Sequence, residues 1–396
     1  MKNGNKKLDS RMTEVYLSYN NIVSSLGFDS ETVVSNIHNE ISGLQLIDDK
    51  EMFFKSFCSS IIKQKELNNS FTSIAVEGNF TRLEMMMITS LNRVIQDTKI
   101  PLTKNVGLII STTKGNIDIL DKNSKFLEER AYLGSLGKVI KDFFKFKNDA
   151  IVVSNACVSG VLAVTIAKRY ITQGIYDNVF VVSGDIVTEF ILSGFNSFQA
   201  LSSEPCKPYS KNRTGINIGE VAASVLVTKN DTNLAKEAVA ILGDGSCNDA
   251  NHISGPSRTG EGLVRSVKLA QKEANISFDH IDYISAHGTG TPFNDEMEAI
   301  AINRLGLQNV PINSLKGYFG HTLGASGLLE TIVGMHSLYN NTLYSSLGFE
   351  EIGVSQPINV ITKTITKKLN IFLKTASGFG GSNMAVIFKK INMTSK

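Results

Sequence analysis

The chain spells one pattern twice: an apolar strand, a turn of small residues, then a helix. Residues 105–111 and 280–285 are apolar runs that end in small polar turns. A small-residue entry and helix over 156–171 is echoed at 321–338, and the strand-like run 222–227 is echoed at 384–388. Strands that alternate with helices imply parallel-type sheets with helices on both faces, because each crossover covers the sheet it passes. The echo lies in pattern more than in identity. It predicts a duplicated α/β fold, with an N-terminal half over 1–235 and a C-terminal half over 236–396 forming one compact unit without a linker.

Composition narrows the function. With 396 residues, 42% hydrophobic and 19% charged, there is ample material for a large core. A formal net charge of +3 leaves no general nucleic-acid footprint. The four cysteines, at 58, 157, 206 and 247, show no paired spacing, which predicts neither a disulfide framework nor a zinc site and fits a reducing cytoplasm. The lysine-rich residues 1–9 lead into no apolar leader segment, and the apolar runs are too short and broken to span a bilayer.

Local reading places a helix over 82–96, with Met85, Met86 and Met87 as core filler, and an amphipathic helix over 128–144. Residues 184–201 are small and mixed and predict no regular element. Residues 207–219 read as a basic loop.

One cysteine stands out. Ile151-Val152-Val153 reads as a buried strand, Ser154-Asn155-Ala156 as a tight turn, and a helix follows Cys157. A cysteine at a strand-to-helix turn lies near the positive end of the helix dipole, a setting that favours thiolate. The same residues are equally those of an inert cysteine packed under a helix.

Two histidines bear on that choice. His287 closes a strand inside a Gly/Thr turn, and His321 sits in a glycine-flanked turn before a helix. Small neighbours let a ligand approach the backbone closely. A metal site is disfavoured, because Cys157, His287 and His321 are far apart in sequence and no acidic residue joins them at ligand spacing. A Cys–His–Asn hydrolase needs one base and one orienting group, and leaves the second histidine and Lys316 without a role.

Four ordered motifs carry a resemblance. Ala156-Cys157-Val158-Ser159-Gly160, His287-Gly-Thr-Gly-Thr291-Pro, Lys316-Gly-Tyr-Phe-Gly-His321 and Ser377-Gly378-Phe379-Gly380-Gly381-Ser382-Asn383 together resemble the elongating β-ketoacyl-[acyl-carrier-protein] synthases. These are the Cys-His-His condensing enzymes of the thiolase superfamily, and the likeness spans about residues 150–390. The resemblance implies a duplicated five-layered αβαβα fold and an acyltransferase that condenses malonyl-carrier with an acyl group on Cys157. The pathway would be fatty-acid or specialised polyketide or polyene synthesis.

It also implies the residue roles. His287 and His321 serve the malonyl thioester, and Lys316 orients the second histidine. The N–H groups of Cys157 and Phe379 form the oxyanion hole, with Gly378 and Gly380 letting Phe379 swing as a gate. Thr289, Thr291 and Phe195 contact substrate, while Asp295, Glu330 and Asn383 give structural support. The implied partners are an acyl carrier protein and either a second copy or a related synthase subunit. No cofactor is implied beyond the carrier's phosphopantetheine, and no metal.

Two other readings stay open. One is a subunit of a ketosynthase/chain-length-factor heterodimer with little activity alone, and the other an acyl-transferring or hydrolysing relative without condensation. The chain also departs from the family pattern. Ser18-Tyr19-Asn20-Asn21 stands where a Gly-rich turn ends the first strand, the stretch 112–149 is short, Thr214 replaces an aspartate and Asp185 a glutamate. These departures suggest a specialised synthase. Lys207, Lys211 and Arg213 are candidate contacts for an acidic carrier.

Overall fold

Ten main strands build the two halves. The first five are β1 (Tyr16–Ser24), β2 (Val106–Ser111), β3 (Ile151–Val153), β4 (Asn178–Asp185) and β5 (Val221–Thr228). The second five are β6 (Val239–Asn248), β7 (Tyr283–Ser285), β8 (Pro311–Asn313), β9 (Ile371–Gly378) and β10 (Ser382–Lys390). The computed structural model describes residues 13–75, 78–121, 123–250 and 253–391, so the lysine-rich residues 1–9 lie outside the described chain.

The N-terminal five run in the order β1-β5-β4-β2-β3 and the C-terminal five in the order β6-β10-β9-β7-β8. These are the same order, five places on. The senses match too. β5 is antiparallel to β1 and β4, and β10 to β6 and β9, whereas β2 and β7 are parallel to both their neighbours. Parallel pairing is therefore confined to part of each half. The halves meet where Tyr16 and Leu17 of β1 pair with Ala240 and Val239 of β6.

Helices supply the other layers. α1 (Arg82–Thr98) packs on β1, β4 and β5, and its start is fixed by a reciprocal cap between Thr81 and Glu84. Met86 and Met87 are fully buried beneath it. On the opposite outer face lie α4 (Glu261–Ala274) and α5 (Pro292–Arg304). Between the halves lie α2 (Ser159–Thr172) and α6 (Ser326–Asn340), which touch each other and strands of both halves. Every residue of α6 from Ser326 to Leu338 is buried, as a helix must be when it forms the middle of five layers.

The two central helices begin against each other. A Cβ on Gly160 would stand 2.8 Å from both the Gly324 carbonyl oxygen and the Leu328 nitrogen. Only glycine admits that approach, and it brings the turns before α2 and α6 together.

Three local expectations are corrected. Residues 184–201 contain α3 (Glu189–Ser197), capped by the Thr188 side chain; its short length and small residues hide a helical period. The amphipathic segment 128–144 is broken at Tyr132, whose extended backbone separates a single turn from the helix Leu133–Phe144. Ser18-Tyr19-Asn20-Asn21 is not a turn but a bulge within β1, with the register shifting between Ser18 and Asn20 and Tyr19 at φ 39°.

Candidate active site

The turn from β3 into α2 holds Cys157 in a tight elbow. Ala156 adopts φ 44°, a left-handed conformation that costs a non-glycine residue about 1 kcal/mol. Ser159 locks it: its hydroxyl accepts from the Asn155 N–H at 2.8 Å and donates to the Ala156 carbonyl at 2.6 Å. From the C-terminal half, a Cβ on Gly378 would lie 3.0 Å from the Cys157 nitrogen, so β9 closes directly over the cysteine.

His287 and His321 reach the same point. A ligating atom of each and the Cys157 sulfur lie within 4.8 Å of one another, and the imidazoles meet edge-on with centroids 5.2 Å apart. His321 Nδ1 accepts the Leu323 N–H at 3.1 Å and lies 2.8 Å from the Ser326 hydroxyl. A backbone N–H can only donate, so neutral His321 carries its proton on Nε2. That Nε2 has no partner among the described residues and is buried, hence free to donate to a ligand. The same proton argues against a metal held by the three side chains, which would need a bare nitrogen there.

Lys316 does something other than expected. Its ammonium donates to the His287 carbonyl and pairs with Glu330 at 2.8 Å, so it secures the backbone of the first histidine. The second is oriented by Leu323 and Ser326, since Lys316 lies behind the histidine turn. Asp295 accepts from the N–H groups of Tyr209, Thr289 and Gly290 at 2.7, 2.9 and 3.2 Å and fixes the Gly/Thr turn. Asn383 takes the Ser377 hydroxyl at 2.8 Å and donates to Asp249 at 2.9 Å beneath the closing glycine turn.

These groups surround a cavity of about 450 Å³. Cys157, His287, His321, Thr289 and Thr291 line its floor and one wall. Phe195, Gly378, Phe379 and Asn383 also line it, whereas the buried Lys316, Asp295 and Glu330 are not part of the lining and Gly380 is exposed beside it. Phe379 stacks on Phe195 at 5.5 Å and meets Phe198 edge-on at 5.3 Å. Gly380, at φ 81°, donates to the Ile253 carbonyl at 2.7 Å, a backbone conformation that glycine adopts without strain.

Four contributors escape the sequence reading. Glu298, fully buried, accepts from the N–H groups of His287 and Gly288 at 2.9 and 2.6 Å. It lies three residues after Asp295 on one helix face, a spacing that could have marked it. Phe198 follows Phe195 at the same interval. Ser326 and the Leu323 N–H carry no advance signal. Asp185, noted only as a departure, accepts from Thr112, Thr113 and the Gly324 N–H at 2.8 Å, tying the halves together beside the site.

Burial sets the electrostatics. Both imidazoles are held well below the usual histidine range by desolvation, with Lys316 and Lys374 adding to it, so both are neutral near pH 7. Burial also pushes the Cys157 thiol up to about 11, against the opposing pull of Lys316, the Phe379 N–H and Lys114. Burial thus works against the thiolate that a place before a helix favours. Alkylation of Cys157 by iodoacetamide should therefore accelerate about tenfold per pH unit between about pH 6.5 and 8.5. A mass-spectrometric time course with a rate already flat by about pH 7.5 would contradict this.

The basic loop is committed internally. The Arg213 side chain is largely covered, donating to the Ser210 and Gly353 carbonyls at 2.9 and 2.7 Å. Lys207 and Lys211 pair with Glu350 and Glu351 at 2.8 and 3.4 Å. Each of the three thus has a partner within the chain, and the Lys211–Glu351 pair stands exposed at the surface.

The fold and the Cys/His/His floor define an acyl-transferring condensing enzyme. Residues 60–233 match the family described as "Beta-ketoacyl synthase, N-terminal domain", and 239–350 match "Beta-ketoacyl synthase, C-terminal domain". The chain is 26% identical to 3-oxoacyl-[acyl-carrier-protein] synthase 1 of Buchnera aphidicola subsp. Schizaphis graminum, covering 96% of this chain and 100% of that protein. It is 32% identical to 3-oxoacyl-[acyl-carrier-protein] synthase 2 of Rhizobium meliloti over 60% of each. The solved ishigamide ketosynthase/chain length factor shares the fold at TM-score 0.86 and 23% identity, covering 96% of this chain and all of that one. A chain of the solved complex of the ketosynthase ApeO with its chain length factor ApeC, from Xenorhabdus doucetiae, does so at 0.84 and 24%, covering 96% of this chain and 99% of that one. The chain belongs to the β-ketoacyl synthase family.

Proposed function

We propose that the protein elongates an acyl chain by decarboxylative condensation with a malonyl thioester, with Cys157, His287 and His321 as its catalytic residues. The observation that carries this reading is the buried Nε2–H of His321, unpartnered and beside the cysteine. An acyl thioester is attacked by the Cys157 sulfur, its bond to the carrier's pantetheine sulfur breaks, and the thiol proton leaves with that sulfur. The N–H groups of Cys157 and Phe379 receive the transient oxyanion. Malonyl thioester then binds with its carbonyl oxygen at the imidazoles. Its C–CO₂ bond breaks, CO₂ departs, and the electron pair passes into an enolate whose oxygen takes the histidine hydrogen bonds. The enolate carbon attacks the acyl carbonyl, the C–S bond to Cys157 breaks, the departing sulfur takes a proton from water, and a β-ketoacyl thioester leaves on the carrier.

Neutral imidazoles suit this step, since they donate hydrogen bonds without trapping the malonyl carboxylate as an ion pair. Thr289 and Thr291, with hydroxyls 2.8 Å apart on the cavity wall, would meet the pantetheine arm. Phe379, held by Phe195 and Phe198, would gate the acyl group. Asp295, Glu330 and Asn383 would hold these parts in place. The reading asks for no metal and no cofactor beyond the carrier's phosphopantetheine.

The partners that follow are an acyl carrier protein and a second synthase chain, identical or related. Support comes from the fold shared with ketosynthases solved alongside a chain length factor. With the full Cys/His/His set, this chain would be the catalytic member of such a pair. Among the described residues no helix is long and apolar enough to cross a membrane. We place the reaction in the cytoplasm, where acyl carriers are loaded.

The test is incubation with acyl-carrier and malonyl-carrier, followed by mass spectrometry of Cys157 and product. Acylation of Cys157 and a product longer by two carbons are expected. A folded protein whose Cys157 is never acylated would refute the reading, and acylation followed only by hydrolysis would favour the non-condensing alternative.

A further inference from the structure

β9 carries a lysine on the face it turns to the middle helix layer. On that face Phe372 packs under Gly334 of α6, and Ala376 is fully buried. Between them Lys374 is itself completely buried. An ammonium group there is strongly unfavourable unless it is paired and hydrogen-bonded.

Its partners converge on the histidine turn. Lys374 Nζ lies 2.6 Å from Glu330 Oε2 and donates to the Thr375 carbonyl at 2.6 Å. It also reaches the carbonyls of Ser285 at 3.1 Å and Ala286 at 3.4 Å, at the end of β7. Lys316 takes the other Glu330 oxygen and the next carbonyl, that of His287. Two ammonium groups sharing one carboxylate thus hold three successive carbonyls, the third belonging to His287. The two ammonium groups thus stand behind the imidazoles, facing Glu330, with the Glu298 carboxylate on the His287 N–H beside them.

We propose that Lys374 is a positioning residue for the condensation: it fixes the strand end that presents His287 and, with Lys316, biases the site toward the negative charge of the enolate. This rests on the condensing reading above. Its electrostatic part agrees with the neutral imidazoles, for which Lys374 is one of the causes. Burial and Lys316 also draw the Lys374 proton off more readily than from a surface lysine, against the pull of Glu330.

The acid limb of the reaction reports on this. Protonating His321 puts a hydrogen on Nδ1, where the Leu323 N–H already points, so activity should be lost only as pH falls well below the usual histidine range. The charged and titratable groups facing the two imidazoles are Cys157, Lys316, Lys374, Glu330, Glu298 on the His287 N–H, Asp185 on the Gly324 N–H, and Lys114. Removing one positive charge makes the imidazoles easier to protonate, which moves the acid limb to higher pH.

The experiment compares the parent with Lys374→Met and Lys374→Gln. Malonyl-carrier decarboxylation is followed from about pH 5 to 8, alongside NMR titration of the histidines. Expected for both variants is a kcat lower by about 10- to 100-fold with KM changed less than about threefold. The acid limb and the histidine titration should both move up by about half a pH unit or more. Lys374→Gln keeps hydrogen-bond donors at the carbonyls and carries the test if Lys374→Met does not fold. A folded variant with parental kcat and an unmoved limb overturns the proposal, as does a lowered kcat with both titrations unmoved, which marks a merely structural lysine. A parent that releases no CO₂ refutes the condensing reading instead, and the NMR titration still decides on Lys374.

Discussion

Replacing Cys157 with alanine should abolish condensation, lowering it on the order of 10⁴-fold or more, while leaving the protein folded. The sulfur is the only atom of the site that can hold the acyl group, and alanine fits the space without a clash. The imidazoles, their tautomers and the Lys316–Glu330 pair are untouched by the change. Decarboxylation of malonyl-carrier should therefore survive, falling less than about tenfold from the parental rate. Cys157→Gln should also retain it. CO₂ release and product mass, measured on the same samples, separate the two steps. Condensation that persists in Cys157→Ala would place the acyl group elsewhere.

His321→Ala should act in the opposite sense. It removes the one imidazole whose buried Nε2–H the fold fixes by a backbone donor. Loss of one such preorganised donor lowers the decarboxylation rate by about 10²–10³-fold. Acylation of Cys157 does not use that donor and should change by less than about tenfold. A variant with equal losses in both half-reactions would show that His321 serves the thiol and not the malonyl group.

Much of the site was legible before any coordinates. Cys157 and His287 stand at turns between a strand and a helix and His321 at a turn before a helix, all framed by small residues, and repetition of that signal pointed to one floor. The duplicated topology was legible from the same alternation. What escaped has a common physical cause. Strand direction depends on which neighbour a strand finds, so the antiparallel places of β5 and β10 left no mark in local pattern. α3 is short and mixes small with aromatic residues, so its period was masked. How deeply the two halves bury the thiol is a long-range quantity that the local turn does not carry, so the residues around Cys157 left its two readings open. The resemblance implies Lys316 orients His321; the direct hydrogen bond that the fold gives it goes to the His287 carbonyl, a pairing that the sequence order does not show.

The contact of the two central helices across Gly160 and Gly324 bears on how the enzyme is made. The ribosome completes β1 to β5 and the Cys157 elbow before His287, His321 or Phe379 has been synthesised. A nascent chain thus presents a sulfur with no oxyanion pocket over it and no imidazoles beside it. The pocket over the sulfur is complete only once β9 closes on the elbow, so the nascent N-terminal half lacks the donor that Phe379 supplies.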